Sequence, residues 1–315
     1  MNRGKIVAGA VLAAACLYAL GSGASAPKRI VSTAPALTEM LFAVGAGARV
    51  VGVTDFCTWP AEARRLPRIG GAINPNLEAV LALRPDLVVL YGAHPALREF
   101  CRRHTIPVAD VYCDTWATIT NAIARIGALT GHAAEAAALR AGMTRRWEAV
   151  RTRAAGRAPL RVLLCGGRGA GPVAACMTMN GASFVSEALA VAGGSNVFAG
   201  VAGSYPEVAA EAIMARAPEA IVELRPGEAL TASACERLRR EWSTLASTPA
   251  VRGQRVFFVT NDFALIPGPR LVEIAETFER MLATSNVPPT PRLWRASERP
   301  ADAKALAGKQ TSRPK

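Results

Sequence analysis

The chain reads as an α/β protein of two similar three-layer lobes with mainly parallel sheets, joined by one long rigid helix, with a ligand cleft between the lobes. Three observations predict this. The stretch "LEAVLALRPDLVVL" (Leu77–Leu90) returns in outline 133 positions later as "AEAIMARAPEAIVEL" (Ala210–Leu224), each a helix, a proline stop and an apolar strand. Strands such as "LVVL" lack polar alternation, which fits a parallel sheet covered on both faces. Between the two copies, Thr115 to about Ala155 is helical throughout and separates two runs of β/α alternation.

The elements follow in order. "KRIVSTAP" predicts a short strand, and "ALTEMLFAVGAG" a helix with Leu37, Met40, Leu41 and Val44 at helical spacing and Gly45 or Gly47 as its stop. "RVVGVTDF" is a second strand. "NPNLEAVLALRP" opens on Asn–Pro, turns Leu77, Val80, Leu81 and Leu83 toward a core and breaks at Pro85. "DLVVLY", a helix near 96–104 and "PVADVY" complete the first lobe. The helical stretch is broken at Gly131, and its second part, about 23 residues long, spans roughly 35 Å. Alternation then resumes with strand "LRVLLCGG", helices "SFVSEALAVAGG" and "AAEAIMARAP", strand "EAIVEL", a helix near 234–245, strand "QRVFFVTNDF" and helix "GPRLVEIAETFERML". The expected organisation is an export signal at 1–26, a first lobe at 27–130, a bridging helix at 131–157, a second lobe at 158–285 and a disordered basic tail at 286–315.

Composition supports a globular chain: 315 residues, 51% hydrophobic and 19% charged, enough to bury a sizeable core. Of the net charge of +13, +2 lies in residues 1–27 and +5 from Asn286 onward, leaving +6 for the body. No stripe of Lys or Arg alternates with aromatics, so no nucleic-acid partner is expected. "MNRGK" is a basic start, "IVAGAVLAAACLYAL" a short apolar run, and "GSGASA" offers small residues for cleavage after Ala24 or Ala26. This pattern predicts export to the periplasm, with an uncleaved anchor or a tethered sensory domain as the alternatives. Beyond the apolar run, Cys57, Cys101, Cys113, Cys165, Cys176 and Cys235 form an even set that permits disulfides in an exported protein. Cys101 with Cys113 is one possible pair. No Cys-x-x-Cys occurs and the three His lie apart, so no metal site and no cofactor is expected.

"RIVSTAPALTEMLFAVGAGARVVGVTDFCTWPAEARRLPRIGGAINPNLEAVLALRPDLVV" resembles the first lobe of periplasmic binding proteins for cobalamin and iron–siderophores. "VSEALAVAGGSNVF", "YPEVAAEAIMARAPEAIV" and "GPRLVEI" resemble their second lobe. The likeness runs over about residues 29–285 and is nearest the cobalamin branch, through "TDFCTWPAEARRLPRIGG" and "NPNLEA". The resemblance implies a monomeric receptor with two lobes on one rigid helix, which hands a metal chelate, a corrinoid foremost, to the permease dimer of an ABC importer. A ferric siderophore or haem is the alternative guest. It also implies that one exposed Glu per lobe, here Glu78 and Glu211, pairs with Arg residues of that permease. A carboxylate at a helix start is equally accounted for by the helix dipole.

Ligands of open α/β sheets bind beyond the carboxyl ends of the strands. The candidate cleft residues there are Phe56, Trp59, Tyr91, Tyr205 and Phe263, with Asp262 and with Met177 on a second wall. Flat rings supply area to a disc-shaped guest at little cost in entropy, and a few polar groups fix its orientation. Ordinary core packing is the competing account of each. The resemblance implies a thin aromatic clamp, because Tyr91 and Tyr205 stand where cobalamin proteins carry Trp, and Ala72 where another Trp occurs. Arg270 heads a helix and is expected in structural pairing. Arg168 in "CGGRGAGP" either meets an anionic guest or is a solvated loop residue. No nucleophile elbow or zinc-protease motif is present, so no catalytic residue is assigned. The enzyme alternative rests on Asp55 and Asp262 alone.

Overall fold

The structure, a computed structural model, describes residues 25–283; the expected export segment and basic tail lie outside or at the margin of that range. The first lobe runs β1 (Ile30–Ser32), α1 (Pro35–Ala43), β2 (Val50–Val53), α2 (Leu77–Ala82), β3 (Leu87–Leu90), α3 (Pro95–Arg103) and β4 (Val108–Asp110). Its four strands are all parallel, in the order β2-β1-β3-β4. Side chains alternate between the two faces, and both are covered. Ile30, Leu87 and Val89 enter one core while Val31, Val88 and Leu90 enter another with Val80, Leu97 and Cys101. That is why "LVVL" carries no polar residue.

A helical hairpin follows, α4 (Trp116–Thr130) and α5 (Ala133–Ala154). Thr115 and Thr118 cap the start of α4 reciprocally, and Gly131 at φ 73 ends it in the left-handed conformation. The helices approach so closely that a Cβ on Gly127 would lie 2.4 Å from that of Ala136.

The second lobe comprises β5 (Leu160–Cys165), β6 (Ala175–Met177), α6 (Phe184–Val191), β7 (Gly194–Asn196), β8 (Glu207–Ala209), α7 (Ala210–Arg216), β9 (Ala220–Leu224), α8 (Ala232–Trp242), α9 (Pro249–Arg252), β10 (Val256–Val259) and α10 (Leu271–Ala283). Four strands form a parallel sheet, β10-β9-β5-β7, and β6 pairs with β8 as an antiparallel ribbon. The alternation recurs here: Val162, Leu164 and Val222 face inward, while Leu163, Cys165 and Ile221 face the outer layer with Trp242.

The repeat noticed in the sequence extends to backbone conformation. Arg84 and Ala217, each just before the proline that follows its helix, both take positive φ, 46° and 43°. The main departure from expectation is the core. The inner faces of both sheets belong to one apolar cluster that passes through α1, α4, α5, α6 and α10. The lobes are therefore joined by packed side chains as well as by α5.

Smaller corrections have local causes. Leu81, expected to face the core, is exposed, because α2 ends within two turns and only Val80 is fully covered. Cys101 and Cys113 are free thiols buried in different clusters, and all six described cysteines are free and buried. Burial pushes Cys113 up to about 12, so its reactive thiolate is scarce.

Two exchanges should run against ordinary propensity. Alanine is favoured over glycine in helices by about 1 kcal/mol, yet Gly127→Ala is expected to destabilise by about 1–3 kcal/mol through overpacking against Ala136. Ala217→Gly should stabilise by up to about 1 kcal/mol, since the left-handed conformation penalises alanine there. Urea unfolding of both variants measures the two signs.

Candidate functional site

Segments that follow strands of the first sheet meet the second lobe: Asp114 beyond β4 bonds Phe184, and Trp59 beyond β2 lies beside Arg270. After β2 come Phe56 and Trp59, both exposed; after β3 comes half-buried Tyr91; after β4 comes Tyr112, 63% exposed. From the second lobe, Met177 at the end of β6 and Tyr205 just ahead of β8 are exposed. Large side chains left open to solvent next to strand ends mark a candidate binding surface. Phe263 differs. It is only 5% exposed and packs in the core, so its ring does not present a face to a guest. Ile73, 86% exposed, stands beside Ala72.

The seam beneath this surface is hydrogen-bonded across the lobes. The Phe184 N–H donates to the Asp114 carbonyl at 2.9 Å, and the Trp116 N–H donates to Glu187 Oε2 at 2.5 Å. Trp116 stacks on Trp147 of α5 with centroids 4.2 Å apart. Above the seam, Tyr91 Oη donates to Asp114 Oδ1 at 2.6 Å. Burial, then this bond and the Asp114 charge, hold the Tyr91 phenol well above its ordinary range. Burial and the same Asp114 charge raise Tyr205, which reaches in from the second lobe. Both rings therefore stay protonated at neutral pH.

Arg270, immediately ahead of α10, crosses to the first lobe. It donates to both oxygens of Glu39 on α1, at 3.0 and 2.5 Å, and to Asp262 at 2.9 Å. Its guanidinium lies between the rings of Trp59 and Phe263, 4.7 and 4.4 Å from their centroids. The expectation of structural pairing for Arg270 is met, with a partner in the other lobe. Asp262 is thereby tied to Arg270. Desolvation of Glu39 outweighs the pull of Arg270 and raises its carboxyl above the ordinary 4.5.

Arg168 departs from both sequence readings. Its side chain is 1% exposed, pairs with Glu223 at 3.0 Å and Glu241 at 2.8 Å, and lies 5.4 Å from the Trp242 ring. It is a buried ion-pair centre, neither solvated nor turned to a guest. The glycine-rich loop around it walls a cavity of about 500 Å3, with Ala175, Met177 and Glu207 on the other side. Glu78 and Glu211 are exposed, and no ion pair or hydrogen bond to either carboxylate occurs among the described residues. No group of three or more potential metal-ligating side chains is found among those residues either.

This architecture has known counterparts. A family model described as periplasmic binding protein matches residues 30–263. The chain belongs to the periplasmic binding protein family. Among individual members, it is 27% identical over 257 residues to the vitamin B12-binding protein of Vibrio parahaemolyticus, covering 80% of this chain and 90% of that one. It is 28% identical over 229 residues to that of Salmonella typhi, covering 72% and 81%. The crystal structure of the periplasmic vitamin B12 binding protein BtuF of Vibrio cholerae shares the fold, with a TM-score of 0.71 at 24% identity, over 82% of this chain and 98% of that one. The periplasmic heme-binding protein BhuT in complex with two hemes also aligns with a TM-score of 0.71, at 27% identity, over 81% and 97%. The fold class and family expected from the sequence are thus those found. Relatives named for B12 and for haem stand side by side.

The state of Glu39 sets a pH dependence. A carboxyl whose folded value is raised contributes stability that is complete below 4.5 and is lost as the pH rises through the folded value. The native protein should therefore lose thermal stability relative to Glu39→Gln as the pH is raised from 4 toward neutrality. Melting curves across that range would instead diverge in the native protein's favour if the attraction of Arg270 outweighed burial.

Proposed function

We propose that this protein is an exported receptor that captures a corrinoid between its lobes and delivers it to an ABC importer. The observation that carries the reading is the set of exposed rings Phe56, Trp59, Tyr112 and Tyr205, with half-buried Tyr91 among them, next to strand ends and above a hydrogen-bonded seam. A broad apolar disc edged with polar groups fits such a surface, and its burial needs no covalent step. Met177 forms the second wall. Asp262 serves by holding Arg270 beside Trp59. With Asp262 so engaged, Asp55 lacks a free acid–base partner, which weighs against the enzyme alternative. No helix among the described residues is long and apolar enough to cross a membrane, and the basic and apolar start of the chain supports export.

The likeness to BhuT supports haem as the second guest. Titration of the purified protein with cyanocobalamin, a ferric hydroxamate siderophore and haemin, followed in the visible spectrum, separates the readings. Cyanocobalamin is expected to bind with the highest affinity. Saturable binding of haemin alone would replace the corrinoid by haem.

Glu78 and Glu211 occupy matching places at the starts of α2 and α7, one per lobe, with no internal partner. Two such carboxylates suit charge-assisted pairing with Arg residues on a two-fold permease. The double variant Glu78→Ala/Glu211→Ala is expected to bind its guest unchanged but to lose at least about tenfold in stimulation of importer ATPase activity, since each charged pair is worth about 1.5–3 kcal/mol. Unaltered stimulation would place docking elsewhere.

A further inference from the structure

At the seam between the lobes, Asp114 presents an acceptor rather than a donor. Asp114 lies between β4 and α4, and its carbonyl is bonded to the Phe184 N–H of the opposite lobe, which places the residue at the seam itself. One carboxylate oxygen takes the Tyr91 hydroxyl proton in a 2.6 Å hydrogen bond. That bond uses the only donor Tyr91 has, so the phenol turns no O–H toward a guest. The Asp114 side chain is exposed, and no cation pairs with it among the described residues. Other carboxylates are engaged: Asp110 is paired with Arg98, Asp262 with Arg270, and Glu187 accepts the Trp116 N–H. Asp114 is therefore a carboxylate held in place by one phenol and one backbone bond, with unsatisfied acceptor capacity.

We propose that Asp114 selects the guest by its fringe, admitting a macrocycle edged with carboxamides and turning away one edged with carboxylates. The inference rests on the reading of the cleft as a chelate receptor. An amide N–H brought to the free oxygen forms a charge-assisted hydrogen bond. A carboxylate brought to the same place meets a like charge, and under the guest both lose water without gaining a proton to share. The aromatic walls are indifferent to this distinction, since either macrocycle presents them a flat apolar face. Discrimination thus falls to Asp114.

The test uses cyanocobalamin and its monocarboxylic acids, in which a single side-chain amide is hydrolysed, with haemin as a carboxylate-fringed macrocycle of different shape. The native protein should bind at least one monoacid about tenfold or more weaker than cyanocobalamin, and haemin weaker still. Asp114→Asn, similar in size and exposed, should cut the amide-to-acid ratio at least threefold. Tyr91→Phe removes the hydroxyl bond but keeps the carboxylate, so it should preserve the ratio even if affinity falls. A native protein that binds amide and acid forms equally, or an Asp114→Asn variant that weakens both in parallel, overturns the assignment while leaving the receptor reading intact. Haemin binding in preference to every corrinoid overturns it as well, and leaves a chelate receptor with another guest. Failure of all the macrocycles to bind removes the receptor reading and this assignment together.

Discussion

One apolar core runs unbroken from the first sheet, through the helical hairpin, to α6, α10 and the second sheet, and the remaining features depend on it. Ile123, Trp147, Phe184 and Phe278 are among its large buried side chains, each worth roughly 1.5–3 kcal/mol when fully covered. The cleft is thus set by packing before any guest arrives. In the proposed function a preformed site would avoid much of the ordering cost of association, since the exposed rings would not first have to be gathered.

The Arg270–Glu39 pair complements this core in a different way. Both groups are almost fully desolvated, and the raised carboxyl of Glu39 shows that burial opposes its ionised form. A pair of this kind contributes little net stability and gives geometry instead. The guanidinium needs both oxygens of Glu39, and in that position it also covers one face of Trp59. Alignment of the lobes and placement of a cleft ring become a single condition.

Most of the fold was legible in the sequence because it is written in local patterns. Helical spacing of apolar residues, proline stops and all-apolar strands are short-range signals, and the duplicated helix–proline–strand confirmed their order. What escaped had no such signal. "ACM" and "EVA" are strands of only three residues, too short to set a period-2 pattern, and "GSN" of β7 has no branched residue at all. Arg168 was misread because its glycine-rich setting mimics a solvated loop, whereas its partners Glu223 and Glu241 lie far along the chain. Glu39 and Arg270 are 231 positions apart. Tyr112 was accessible to reasoning, since it follows β4 as Tyr91 follows β3. Phe263 satisfied the same rule yet turned inward beneath Arg270, which shows that the end of a strand locates a residue but does not orient its side chain.

The continuity of the core has an outcome beyond affinity. In the role proposed for it, a protein whose halves are packed into each other would present nearly the same outline with and without its guest. In that role an importer would have to read the guest itself rather than a change of shape, and the protein without a guest would compete for the same berth.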